Sequence, residues 1–243
     1  MLILCIFIML FSSCGIEDYL YLYPVPESNI TIQLNSKATI QLPPSGNYDS
    51  VSNFHFTLFY RIYISGTSLD SVAVSDYSVL NPTLASDYSV LLPYTDTSST
   101  STVNVSAVGT VFRNRNYYTL ELESANIDSV LASGAGDMTL TLDFLQNPGW
   151  IPVMEIGGVS YKLFRSDGGG NFKPEPDRYF CVSEDLTDSA KASSLANADV
   201  VSASGTPVEK HAYAAFYIVA SGMNSNFSPV YSAPAFVGIL RLP

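Results

Sequence analysis

Phe54-His55-Phe56-Thr57-Leu58-Phe59-Tyr60-Arg61-Ile62-Tyr63-Ile64-Ser65 is the stretch on which the fold turns. Its even positions, Phe54, Phe56, Leu58, Tyr60, Ile62 and Ile64, are all apolar. The odd positions, His55, Thr57, Phe59, Arg61, Tyr63 and Ser65, are mixed. Side chains alternate between the two sides of a strand, so period two held over twelve residues predicts a long strand with one face in a core. The other face is expected to be partly wet.

Strand signals continue on both sides of it. Tyr19 to Tyr23 alternates Tyr with Leu and reads as a first strand closed by Pro24 and Pro26. Thr31-Ile32-Gln33-Leu34 recurs as Thr39-Ile40-Gln41-Leu42, which predicts two half-buried strands around a four-residue turn, Asn35-Ser36-Lys37-Ala38. Ser75 to Leu80 and Ser86 to Leu91 form a second repeat, expected as a loop-rich hairpin. Further strands are expected at Val103 to Val108, Val111 to Glu123, Met138 to Leu145 and Val159 to Arg165. Tyr213 to Ala220 is apolar on both faces, and a turn at Gly222 to Asn226 returns the chain toward Leu242. One short helix is expected at Glu184 to Asp199, with acids in its first turn and Ser183 as its cap.

Composition agrees with a β-protein. Sixteen Tyr and thirteen Phe accompany many Val, Ile and Thr, residues that pack well on a pleated surface. Tyr60-Arg61-Ile62-Tyr63-Ile64 resembles the central strand of fibronectin-type-III-like sandwiches. Tyr213 to Ala220 followed by Ser228-Pro229-Val230-Tyr231-Ser232-Ala233-Pro234 is similar to the last two strands of such a module. The expected fold class is therefore all-β, an antiparallel β-sandwich of fibronectin-III or immunoglobulin-like kind with a large β-rich insertion. In that reading residues 29–69 and 206–243 make one sandwich within a body of 29–243, and 70–205 are the inserted unit.

The N-terminus speaks of location. Met1 to Phe11 is an unbroken run of eleven apolar residues, followed by Ser12, Ser13 and Cys14. A spanning helix needs about 20 apolar residues, so this run fits the hydrophobic region of a secretory signal instead. Phe11-Ser12-Ser13-Cys14 resembles the lipobox of bacterial lipoproteins, in the relaxed form of spirochaete lipoproteins, with Phe11 where Leu is usual. That resemblance implies a signal peptide over 1–13, diacylglycerol on the Cys14 thiol and a lipidated tether over 14–28. It places the protein at the cell envelope, with the outer membrane favoured over the inner. No Lys or Arg precedes the apolar run, which points to a start upstream of Met1.

Net charge is −11, with 22 acidic residues against 11 basic ones. Such a chain repels phosphate backbones and offers no basic stripe, which excludes nucleic acid as a partner. The same charge gives no grip on anionic lipid, so membrane attachment must come from the anchor. Of three cysteines, Cys5 leaves with the signal and Cys14 takes the lipid, so Cys181 has no partner for an intrachain disulfide.

Chemistry-bearing patterns are thin. His55 and His211 are the only histidines, and neither sits at ligand spacing from cysteines or carboxylates, so no metal site is expected. Cys181 reads as a small buried hydrophobe rather than a nucleophile. Asp167-Gly168-Gly169-Gly170-Asn171, with Glu175 and Asp177 nearby, lacks the alternating spacing of a calcium loop and reads as an exposed turn. Trp150, in a Gly/Pro-rich loop, is a candidate for stacking on sugar rings, but the favoured reading is a plug at the open end of the sandwich. No cofactor and no catalytic residue are expected. The function expected is that of a non-enzymatic binding or structural lipoprotein. The alternatives are an envelope glycoside hydrolase or carbohydrate-binding protein, and an accessory subunit of an outer-membrane assembly. Expected partners are the membrane and, beyond it, other envelope proteins or a polysaccharide.

Overall fold

The computed structural model describes residues 22–33, 36–43, 51–65, 108–123, 127–132, 138–144, 152–167, 171, 178–180, 199–202 and 211–242. Its described strands are β1 (Ile30–Gln33), β2 (Lys37–Gln41), β3 (Ser52–Ser65), β4 (Tyr118–Leu122), β5 (Thr139–Asp143) and β6 (Val153–Ile156). They continue with β7 (Val159–Arg165), β8 (Val200–Ser202), β9 (His211–Met223), β10 (Pro229–Tyr231) and β11 (Ala235–Arg241). All belong to one sheet, ordered β1-β2-β5-β6-β7-β4-β3-β9-β10, with β11 also on β9 and β8 on β3. The described pairings are antiparallel except that of β8 with β3. The all-β antiparallel expectation holds, and the two layers of the sandwich are two halves of a single curled sheet. Residues 118–165 supply β4 to β7, the strands that link β2 to β3 through this sheet.

β3 is the axis of one layer. It pairs with β9 from Ser65↔His211 to Ser52↔Met223, with an irregularity between Ser52 and His55 where Asn53 takes a φ of 51°. Phe56, Leu58, Tyr60, Ile62 and Ile64 are buried in the inter-layer core, as their alternation predicts. They meet Ile40, Leu140, Leu142, Met154 and Leu163 of the other layer and Ala214, Phe216 and Ile218 of β9. The odd face departs from expectation: Thr57, Phe59, Arg61 and Tyr63 are buried as well. Over Phe59 the cover is a helix, α1 (Val108–Asn114), whose Phe112 stacks on Phe59 at 4.3 Å and meets Tyr217 edge-on at 5.5 Å, while Tyr63 packs with Tyr213, Ala215 and Ile239.

That helix overturns part of the strand expected at Val111 to Glu123; only Tyr118–Leu122 is strand. Val and Phe favour strands intrinsically, but Val108 and Phe112 lie one turn apart and bury together against β3 and β9, and packing outweighs propensity. Asn116 ends the helix in the left-handed conformation, φ 56°, which Asn tolerates. A second short helix, α2 (Ile127–Ala132), packs on β3 where no helix was expected. The helix expected at Glu184 to Asp199 falls outside the described residues except for Asp199, which sits in a turn.

Smaller corrections concern turns. Gln33 pairs with Lys37, so Lys37 and Ala38 belong to β2 and the connection is tighter than the four residues expected. Leu22 and Tyr23 are not strand; Leu22 is buried in the core and Tyr23 is exposed. Gly157 and Gly158, at φ 56° and 81°, make the two-residue turn that joins β6 to β7. The repeat at Ser75 to Leu91 and the strand expected before Val108 lie outside the described residues. At the closing seam of the curl, Ile32 of β1 lies so near Gly238 of β11 that a Cβ there would overlap its Cδ1. Gly238 also holds a φ of 140°, so two constraints select glycine.

Candidate functional site

The densest polar arrangement among the described residues lies inside the core, where three elements converge. β3 contributes Tyr60 from its inner face, β7 ends in Arg165, and Asp199 stands immediately before β8. Backbone pairing fixes each position first. The Ile62 N–H donates to the Asp199 carbonyl at 2.8 Å, and the Arg165 N–H donates to the Arg178 carbonyl at 2.8 Å. The side chains then close on one another. Arg165 Nε donates to Asp199 Oδ2 at 2.8 Å and Arg165 Nη2 to Oδ1 at 2.6 Å, a bidentate pair. The Tyr60 hydroxyl donates to Asp199 Oδ2 at 3.0 Å and accepts from the Ser166 N–H at 3.2 Å.

Burial and charge set the electrostatics. Arg165 and Asp199 expose 1% and 0% of their side chains, so the pair is fully desolvated. Burial pushes the Tyr60 phenol well above its ordinary range, and the neighbouring Asp199 carboxylate adds to that shift. Burial alone would lower the Arg165 pKa, but the hydrogen bonds and charge of Asp199 outweigh it and hold the guanidinium above its usual value. At the edge of the cluster, burial raises the Tyr118 phenol, with the charges of Asp199 and Asp167 acting in the same direction and Arg61 against them. Chemically, the arrangement is a cross-link. Both Asp199 oxygens and the Tyr60 hydroxyl are engaged within it, and it ties β3, β7 and β8 to one point.

On the outer face of β3, the Tyr63 and Tyr117 hydroxyls hydrogen-bond at 2.8 Å, and the Arg61 guanidinium lies 5.7 and 5.9 Å from their ring centres. Cation–π contact accounts for a charged residue at so buried a position. Sequence reasoning did not single out Tyr60, Arg165 or Asp199. The one local hint was an Arg closing the apolar run Leu163-Phe164, since a charge inside a strand signal requires a partner.

The residues that the sequence did single out fall mostly outside the described part of the chain. Cys14, Trp150 and Cys181 lie outside the described residues, as do Glu175 and Asp177. His55 and His211 are not brought together: their partners across the β3–β9 ladder are Ser221 and Ser65, so ten residues of strand separate them, about 33 Å at 3.3 Å per residue. His55 Nδ1 donates to the Asn53 carbonyl at 2.8 Å. Asp167 is exposed and turned back on its own loop, accepting from the Asn171 N–H at 3.2 Å and from Asn171 Nδ2 at 3.4 Å. That is the geometry of a side-chain-stabilised turn. Neither a protein-family model, nor a curated protein, nor a solved structure matches this chain.

Proposed function

We propose that this protein is a lipid-anchored component of the bacterial cell envelope, held at the outer membrane rather than the inner by diacylglycerol on Cys14, and that its β-body acts as a non-enzymatic binding or structural module. The observation that carries the reading is the apolar run Met1 to Phe11 closed by Ser12-Ser13-Cys14. No described helix is long and apolar enough to cross a membrane. The polar cluster supports the second half of the proposal. Its side chains are spent on one another at 1% and 0% exposure, as suits a clamp that keeps a display module in one shape.

Detergent-phase partitioning of the full chain, produced in a host that processes lipoproteins, tests the anchor. The parent protein is expected in the detergent phase and the Cys14→Ser variant in the aqueous phase. A variant that remains in the detergent phase shows that a different segment holds the membrane, and the proposal falls.

A further inference from the structure

The antiparallel pairings place several features on one rim of the curled sheet. β6 and β7 meet at the Gly157-Gly158 turn, β9 and β10 meet at Asn224 to Ser228, and β1 starts at Ile30. Tracing the ladders β1-β2-β5-β6-β7-β4-β3-β9 puts all three at the same rim, the one where β3 begins. Among the described residues, two of the three large hydrophobic side chains that are exposed lie there. Phe227 is 82% exposed in the β9–β10 turn and Val159 is 51% exposed beside the β6–β7 turn. A third, Tyr23, precedes by four residues the 3-10 turn Glu27–Asn29 that leads into β1.

Phe227 holds a φ of 57°, a conformation that bulky side chains rarely adopt. The turn enforces it. Asn224 Oδ1 accepts from the N–H groups of Asn226 and Ser228 at 3.0 and 2.9 Å, the Asn224 N–H donates to the Ser228 carbonyl at 3.0 Å, and the Phe227 N–H donates to the Asn224 carbonyl at 3.0 Å. A strained backbone therefore presents an aromatic ring that packs on almost nothing within the chain. The turn's own hydrogen bonds over-determine the conformation and so sustain the strain. Neither turn carries a charged residue. Among the described residues the opposite rim holds Lys37, Asp143, Asp167 and Arg241, and this rim holds Glu27 and Glu155 beside the two uncharged turns.

We infer that this rim rests on the lipid bilayer, with Phe227 and Val159 entering the headgroup–acyl boundary. The inference depends on the anchored reading of Cys14. Leu22, where the chain is already buried in the core, stands eight positions after Cys14, so the anchor lies at most about 28 Å away. An aromatic and an aliphatic side chain on uncharged tips suit the bilayer interface. Glu27 and Glu155, exposed at the same rim, disfavour anionic headgroups and select a zwitterionic surface.

The test uses the full lipidated chain with Cys181→Ala, reconstituted into phosphatidylcholine vesicles, with an environment-sensitive fluorophore on Phe227→Cys or, at the opposite rim, on Gln33→Cys. The expected result is a blue-shifted emission at position 227 that nitroxide-bearing lipid quenches and aqueous iodide does not, with the reverse at position 33. Val159→Cys repeats the measurement should Phe227→Cys fail to fold. Equal iodide quenching at both rims on vesicles that retain the chain means the rim faces water, a second copy or a protein partner; the inference then falls while the anchor stands. A chain that does not associate with the vesicles overturns both.

Discussion

At the scale of single residues, the Arg165–Asp199–Tyr60 cluster is the feature most sensitive to substitution. Removing one member of a buried ion pair leaves the other charge uncompensated, so Arg165→Met should cost about 3 to 5 kcal/mol. The double variant Arg165→Met/Asp199→Leu should recover most of that loss, because apolar residues of similar volume need no partner. Chemical denaturation of the two single variants and the double gives the coupling directly; strictly additive losses would mean the pair does not act as a unit. Tyr60 adds a pH dependence. Its pKa is raised in the folded chain above the ordinary 10.0, so the neutral phenol is the form the fold prefers. Its contribution is fully present below about pH 10 and is lost as pH climbs through the folded value. Tyr60→Phe should cost about 1 to 3 kcal/mol near neutrality by removing the second hydrogen bond to Asp199 Oδ2 and the acceptor of the Ser166 N–H. The gap between parent and variant should then narrow above pH 10 in alkaline denaturation, and a constant gap would contradict the assignment. Of this cluster the sequence offered only the hint of Arg165 closing an apolar run, without its partners. Arg165 and Asp199 are 34 residues apart, and no local pattern announces a pairing across that distance.

At the scale of elements, β3 was read correctly on one face and incorrectly on the other, for a physical reason. Its even positions repeat without a break, whereas Thr57, Phe59, Arg61 and Tyr63 mix polar with apolar and resemble a solvated face. Phe59 is buried by α1, whose Phe112 lies more than fifty positions along the chain, and Tyr63 by Tyr213, Ala215 and Ile239 of the same layer. α1 itself was hidden because Val108, Val111 and Phe112 are strand formers by propensity. β9 was legible on both faces because Tyr213 to Ala220 carries no charge on either, and β7 was legible to the residue. β6 was missed although Gly157-Gly158 marks its turn, since only four residues precede it as strand. These assignments predict that Ile62→Ala and Phe112→Ala each cost about 2 to 5 kcal/mol, because each empties a buried site on opposite faces of the β3 layer. Ile30→Ala, on half-buried edge strand β1, should cost about 1 kcal/mol. Equal losses at all three positions in urea denaturation would show that β3 is not the axis of the fold.

At the scale of the whole molecule, one sheet curls until Ile32 of β1 meets Gly238 of β11, and the core lies inside the curl. The sequence announced the fold class through periodicity because burial in a sheet is written locally, every second residue. Closure of the sheet was not legible, since it depends on one glycine meeting one isoleucine about two hundred positions earlier. Function divides in the same manner. The proposed anchor rests on fourteen consecutive residues, while the clamp and the rim emerge only when distant segments are assembled. The central claim is that Cys14 joins this body to a membrane, and the mass of the mature N-terminal peptide tests it most directly. The account predicts a peptide that begins at Cys14 and carries a thioether-linked diacylglycerol; a peptide that retains residues 1–13, or one with a free Cys14 thiol, would contradict it.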